Sequence, residues 1–421
     1  MGLPRMLRQA LAGAAVVLVA GCSTNPITGR SQLMVVPESM AIRESAAAYS
    51  QMIGGLTKKN QIETGTPRAE KLRAITDRLI AEAVRFRPDS AKWAWQVQLI
   101  KDPETVNAFC MAGGKMAMYT GLMEKLKATD DEIAQVMGHE IGHALANHTQ
   151  ERMSIAYTSG IGTQLAAIAL GARDSTAALM QTAAVLAIQL PNSRESESEA
   201  DQIGIELAAR AGFDPQAAVT LWQKMGKLSG SKPPEFLSTH PSPEHREQRL
   251  RELAKKVQPL YLAAKAHPNR DAPSFLAARD AANERVVRKP GELTPEEYAQ
   301  KVAREPATLT FLAEPFERFK RGETTFDCRL QCSLAYERNK DDWKRLHERA
   351  LWRDLAVSVI QTGYRSDLSY FMLGEAARGL GLDEAARTYY RRALDASADY
   401  GCGDDCAGFE VRKLARSRLS G

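Results

Sequence analysis

The apolar positions change period several times along the chain, and each change predicts an element. Leu72, Ile75, Leu79, Ile80 and Val84 recur at helical spacing between Arg68 and Arg85. Trp93, Trp95, Val97 and Leu99 then alternate with Ala94, Gln96, Gln98 and Ile100, which reads as a strand. Lys101-Asp102-Pro103 is a turn, and Gly113-Gly114 divides 106–111 from 115–119 as a hairpin would. Thr129-Asp130-Asp131-Glu132 is a capping box that opens a long helix, expected to run to about Arg152. Pro191-Asn192-Ser193 opens another helix, to about Arg210, and Gly212-Phe213-Asp214-Pro215 a third. Residues 230–243 read as a loop.

Between these helices, 154–190 is alanine-rich and largely apolar, with Arg173-Asp174 in its middle. Each half is too short and too interrupted for the ~20 apolar residues of a membrane span. The expectation is a buried or membrane-facing helical hairpin over the site. Beyond residue 257 the chain turns helical and more charged. There Tyr370, Leu373, Gly374, Ala377, Ala386, Tyr390 and Ala393 sit at the spacing of a tetratricopeptide repeat, with no second copy upstream. The expected fold class is α+β: a mainly helical domain with a small sheet over 61–256, then an α-helical, partly tetratricopeptide-like domain over 257–421.

The N-terminus changes the picture. Arg5 and Arg8 precede an apolar run from Leu11 to Ala20, ending Val19-Ala20-Gly21-Cys22. A charged start, a short apolar stretch and small residues before a cysteine make a secretory signal over 1–21 that resembles a bacterial lipobox. Residues 22–60 then become a tether lipid-anchored through Cys22, followed by a helix. Ser23, in place of Asp, implies the periplasmic face of a Gram-negative outer membrane. Composition adds exclusions. In 421 residues, 25% are charged, with both signs interspersed and a net charge of +5. No basic stripe suggests nucleic acid as a partner. Of the six cysteines, Cys110 reads as packing, while Cys328, Cys332, Cys402 and Cys406 are disulfide candidates in an oxidising compartment. The pairs Cys328–Cys406 and Cys332–Cys402, local pairs, or a four-cysteine zinc site all fit the spacing.

The chemistry is concentrated in His139-Glu140-Ile141-Gly142-His143. Spacing of four residues stacks the two imidazoles on one helix face, where they can hold one zinc ion. Glu140 lies about 100° round the helix, suited to act as general base on a water rather than as a ligand. A catalytic zinc needs a third protein ligand. A downstream histidine of the metzincin kind is ruled out by Ala146 and Thr149 at the required positions. His148, five residues past His143, lies about 140° away on a continuous helix, so a capping or supporting role is expected. In 193–201, Glu197 shares a face with Ala200, Asp201, Gly204 and Ala208, whereas Glu195 and Glu199 share one with Gln202 and Glu206. Periodicity therefore selects Glu197 as third ligand, with Asp201 one turn on to fix a ligand histidine. Glu195 and Glu199 are expected in solvent.

At these residues the chain resembles the membrane-associated gluzincin metallopeptidases of the CaaX prenyl protease and BepA (peptidase family M48). Asn107-Ala108-Phe109 through Gly113-Gly114 resembles that family's strand motif, with Ala112 in place of proline. Ser238-Thr239-His240-Pro241 with Arg246 resembles another of its segments, and Asn25-Pro26-Ile27-Thr28-Gly29-Arg30 a third. The resemblance implies one Zn2+ per chain and hydrolysis of peptide bonds in unfolded or misassembled periplasmic and outer-membrane proteins. It implies protein substrates and a link to outer-membrane assembly machinery. It further implies that His240 and Arg246 stabilise the developing oxyanion, or that His240 closes the metal's open position. Asn107, Lys115, Met116, Ala117 and Met118 are expected to hold substrate, with 115–119 as a free sheet edge that pairs with an extended peptide. The competing class is a lipid-anchored chaperone or assembly-binding protein with a latent metal site.

Overall fold

The computed structural model describes residues 22–25, 27–169, 192–228, 235–240, 245–269, 272–276, 293–303, 307, 309–326, 333–399 and 406–420. The elements run β1 (Cys22–Thr24), β2 (Ser31–Leu33), α1 (Glu38–Lys58), β3 (Ile62–Glu63), α2 (Pro67–Phe86), β4 (Gln96–Ile100), β5 (Ala108–Met111) and β6 (Lys115–Tyr119). There follow α3 (Thr120–Leu126), α4 (Asp130–Leu145), α5 (His148–Ala169), α6 (Arg194–Arg210), α7 (Ala217–Leu228), α8 (Glu235–Thr239) and α9 (Arg246–Ala266). The last are α10 (Pro295–Ala303), α11 (Thr310–Lys320), α12 (Ser333–Glu348), α13 (Trp352–Thr362), α14 (Asp367–Gly379), α15 (Asp383–Asp399) and α16 (Val411–Ser420). The chain is mainly helical with a small mixed sheet, an α+β architecture, and it divides into two compact units: 34–309, and 310–421 together with 1–33.

In the unit of residues 34–309 the sheet order is β3-β4-β6-β5. The β5–β6 hairpin is antiparallel, as its double glycine predicts, with Cys110 opposite Met116. Gly114 has φ +74°, and a Cβ there would come within 2.3 Å of the Trp95 ring, so only glycine turns the chain here. β4 pairs parallel with β6, Gln98 opposite Ala117. That pairing corrects the expected substrate edge: β6 lies between two strands, so its main chain is already paired. Met116, Ala117 and Met118 are fully buried, and Lys115 donates from Nζ to Gln96 Oε1 at 3.0 Å and to the Ala94 carbonyl. The edge strand on this side is β5.

Two helices carry the functional residues. α4 begins at the expected capping box, with Thr129 Oγ1 accepting from Glu132 N and Glu132 Oε2 accepting from Thr129 N. It ends at Leu145, seven residues before the expected end, because Asn147 is left-handed (φ 58°) and breaks the helix. α6 starts where the sequence places it, capped by Ser193. The two helices approach closely through glycine: a Cβ on Gly138 would sit 2.7 Å from the Gly204 carbonyl oxygen, and one on Gly204 2.5 Å from His139 N. Ile205, Ala209, Ala218, Val219, Leu250, Ala254 and Val257 then pack α6, α7 and α9 together. A domain boundary at residue 257 would cut through α9, whose buried Val257 belongs to this core; the division by contacts falls between 309 and 310. Most of the apolar stretch 154–190 lies outside the described residues, as does the greater part of the 230–243 loop. Among described residues no helix is long and apolar enough to cross a membrane.

In the other unit, the backbone of Cys22–Thr24 pairs with Ser31–Leu33 as a short hairpin, not the expected tether. The Asn25 carboxamide oxygen accepts from Ile27 N and Thr28 N within its turn. α14 and α15 form a helix pair, with Tyr370, Leu373, Ala377, Ala386, Tyr390 and Ala393 all buried and Gly374 seated against the Tyr390 ring. Cys406 is buried and disulfide-bonded. Cys328, Cys332 and Cys402 lie outside the described residues.

Candidate active site

Four side chains converge between α4, α6 and the end of α8. His139, His143, Glu197 and His240 each present one ligand atom within a 4.8 Å spread, and all four are buried. Helical spacing brings His139 Nε2 to 3.1 Å from His143 Nε2. Glu197 reaches in from α6, with Oε1 3.2 Å from His143 Nε2 and Oε2 3.4 Å from His139 Nε2. Asp201, one turn further, has Oδ1 3.0 Å from His139 Nδ1. Glu140 is buried beside the group, and its Oε1 has no hydrogen-bond partner; His240 Nε2 lies 3.5 Å from it.

These atoms suit a metal better than a hydrogen-bond network. Three imidazole nitrogens and one carboxylate oxygen lie within 4.8 Å of one another, a set of lone pairs that hydrogen bonds among themselves cannot all satisfy. A divalent cation satisfies them together, and two histidines with a carboxylate is a zinc donor set. In the metal-free chain burial alone would lower the His139 pKa, but the Glu197 and Asp201 carboxylates raise it to about 9. Burial holds His143 well below its ordinary value. Burial would raise Glu197, but the facing histidines hold it well below the carboxylate range. Burial also raises Glu140, which suits a group that must accept a proton near neutrality.

His240 follows α8, which is docked by Phe236 N donating to the Val106 carbonyl and Asn192 N to the Thr239 carbonyl. Its ring stacks on Phe236 at 4.3 Å. Its Nδ1 lies 2.9 Å from Glu197 Oε1 and 3.3 Å from His139 Nε2, which makes it a candidate fourth ligand. Asn107 is not free for substrate: its amide donates to Glu235 Oε1 at 3.3 Å and its oxygen accepts from Ala108 N. The outer side of β5 instead lines a narrow cleft with Glu140, Arg152 and His240.

Arg246 corrects an expectation. Its Nη1 donates to Glu197 Oε2 at 2.9 Å and its Nη2 to Asp201 Oδ1 at 2.6 Å, while Trp222 packs against the guanidinium at 3.6 Å. Both terminal nitrogens are engaged behind the cluster, so it orients Glu197 rather than facing a reacting carbonyl. His148, expected in a capping or supporting role, is buried against His143, and Glu199, expected in solvent, is buried as well. The residue type at 147 was the available signal, since asparagine readily adopts the left-handed turn that swings His148 back toward His143. No local signal marked Glu199, which is buried against His148 at the start of α5.

Residues 67–254 match the model of Peptidase family M48. They form a peptidase domain of that family. Over 157 residues the chain is 41% identical to a mitochondrial metalloendopeptidase OMA1 of Arabidopsis thaliana, covering 37% of this chain and 31% of that protein. It is 31% identical over 181 residues to the β-barrel assembly-enhancing protease of Escherichia coli, covering 41% of this chain and 37% of that one. A Saccharomyces cerevisiae OMA1 is 27% identical over 266 residues, 58% of this chain and 75% of that one. The chain thus spans less than half of the first two relatives. Zinc is the ion of this peptidase family, and the His139, His143, Glu197 and His240 group fits it. The outer-membrane lipoprotein address expected from Cys22 is overturned: the plant, yeast, cattle and human relatives that the domain matches are mitochondrial proteins by name.

Proposed function

We propose that the chain is a zinc-dependent endopeptidase that cuts extended, unfolded or misassembled protein segments. The observation that carries this reading is the four-residue convergence with Glu140 Oε1, which accepts no hydrogen bond, beside it. His139, His143 and Glu197 would hold the zinc, with Asp201 and Arg246 orienting them. Zinc bound there supplies Lewis-acid polarisation of a carbonyl and a water. Glu140 takes the proton of the attacking water at its free oxygen and returns it to the departing amine. The peptide is held as an added strand on the edge of β5, where main-chain pairing selects extended conformation over sequence. Folded domains offer no such strand, which favours unfolded or incompletely assembled proteins. The name of the E. coli relative ties that protein to β-barrel assembly.

One observation favours a latent form. With His240 beside Glu197 and His139, four protein ligands would surround the ion, whereas a catalytic zinc keeps one position open. In this reading α8 moves away before cleavage, and a chain that never opens acts only as a binding protein. Zinc content and casein cleavage of wild type, Glu140→Gln and His240→Ala test both readings. Endopeptidase action requires zinc in all three, cleavage lost in Glu140→Gln and raised in His240→Ala. Undiminished cleavage by Glu140→Gln would sink it, and a zinc-loaded His240→Ala without activity would favour the binding protein.

A further inference from the structure

The two histidines of the metal motif are supported from behind in different ways. His139 Nδ1 faces the Asp201 carboxylate directly. Among the described residues, His143 meets no carboxylate at Nδ1. Its Nδ1 lies 2.8 Å from Nδ1 of a second imidazole, His148, whose Nε2 lies 3.0 Å from Glu199 Oε2. His148 is 1% exposed and Glu199 8%, so water does not compete for these contacts.

The proton positions follow from donor and acceptor chemistry. An ionised carboxylate only accepts, so His148 Nε2 carries the proton toward Glu199. An imidazole that holds a metal through Nε2 carries its proton on Nδ1, so for His143 in that role His148 Nδ1 is the acceptor facing it. His143 Nδ1 is then the donor. That leaves the lone pair of His143 on Nε2, the atom 3.2 Å from Glu197 Oε1. We propose that His148 and Glu199 are positioning residues that fix the metal-binding tautomer and ring orientation of His143, as Asp201 does for His139. This rests on the zinc reading above.

The surrounding fold is built to hold the relay. The left-handed Asn147 turns the chain so that His148 faces back onto the last turn of α4. Arg87 locks that turn, donating from Nη1 to the Leu145 carbonyl at 3.1 Å and to Asn147 Oδ1 at 2.8 Å. Arg87 is itself buried, paired with Glu38 at 2.5 Å and seated over Trp93.

The full-length protein tests the relay through zinc affinity, by competition with a chromogenic chelator, and through the visible spectrum of the cobalt-substituted form. His148→Phe keeps an aromatic ring but removes the acceptor. Zinc binding is expected to weaken about 10–100-fold, with an altered cobalt spectrum. His148→Gln offers an amide oxygen to His143 Nδ1 and should restore most of the affinity. Glu199→Ala should fall between them. Wild-type affinity and spectrum in both His148→Phe and Glu199→Ala would overturn the relay. So would a His148→Gln no better than His148→Phe, since packing alone would then explain the loss. If His148→Phe does not fold, His148→Gln and Glu199→Ala decide on the same readouts: loss in Glu199→Ala with retention in His148→Gln supports the relay, and any other pattern rejects it. A wild-type chain that binds no zinc would instead remove the metallopeptidase reading itself.

Discussion

Among the described residues, each compact unit buries a dense polar cluster on a helix pair, and the two clusters are finished differently. On α14, both oxygens of Glu375 are filled: Tyr390 Oη and Arg418 Nε donate to Oε1 at 2.6 and 2.9 Å, and His347 and Arg378 reach Oε2 at 2.8 and 3.1 Å. On α4, Glu140 is as well buried but has an oxygen without a hydrogen-bond partner, and the ligand atoms around it face one another. A satisfied cluster contributes to stability and has no capacity left for chemistry. A convergent, unsatisfied one costs stability unless something fills it. That difference, more than burial or residue type, separates a structural polar core from a site.

The sharpest way to break the comparison is to make the same small change in both clusters. Glu140→Gln should lower proteolysis about 10²–10⁴-fold, the usual weight of a general base. Bound zinc, measured by metal analysis, should stay at one per chain. Glu375→Gln should leave proteolysis unchanged. Equal losses from both would mean that Glu140 is structural too.

Next in size is the close helix contact beneath each cluster. A Cβ at Gly204 would meet His139 N at 2.5 Å and Gly138 C at 2.7 Å, which is backbone and cannot swing aside. Gly204→Ala should cost about 3 kcal/mol of stability and also weaken zinc binding, since it pushes His139. At Gly374 the obstacle is the Tyr390 ring, again at 2.5 Å but on a side chain. Gly374→Ala should cost about 2 kcal/mol and leave the metal alone. Chemical denaturation and chelator competition on the two variants separate these effects.

How much of this was legible in the sequence follows from where each interaction comes from. His139, His143, Glu197 and Asp201 were readable because one helical period orders each pair within its own helix. The capping box at Thr129, the Ser193 cap and the double-glycine hairpin were local signals of the same kind. The misreadings all involve contacts between distant segments. The hairpin β5–β6 was recognised, but nothing local says that β4 docks parallel against β6, so the edge was placed on the wrong strand. Arg246 was assigned by resemblance to the reacting carbonyl, and only the position of α9 behind α6 turns it onto Glu197. The supporting role of His148 is legible, but its contact with His143 is not, because a continuous helix would carry it away and one left-handed residue ends that helix.

A smaller effect again comes from deleting the satisfied carboxylate outright. Glu375→Ala leaves a buried tyrosine hydroxyl, two arginines and the His347 ring without their acceptor. His347 is 22% exposed, Arg418 34% and Arg378 46%, so water recovers part of the loss. The expected cost is about 2 kcal/mol, read as faster amide exchange confined to 333–420. Unchanged exchange there would show that the cluster contributes nothing to the unit.

The smallest effect is the pH dependence that the same carboxylate imposes. Burial alone would raise the Glu375 pKa, but the hydrogen bonds from His347, Arg418, Tyr390 and Arg378 outweigh it and hold the group well below the carboxylate range. A group depressed in the folded state contributes its stability above its unfolded value, near about 4.3 for glutamate, and loses it as pH falls from there toward the folded value. Helices α12 to α16 should therefore weaken by about 1–2 kcal/mol on acidification below pH ~4, an amount already reduced for the solvent-screened arginines. Glu375→Gln has no charge to lose there, so its amide exchange in 333–420 should change less steeply over the same acid range. If wild type and variant respond alike, other carboxylates govern the acid response, and the satisfied cluster is only one contributor to this unit's stability.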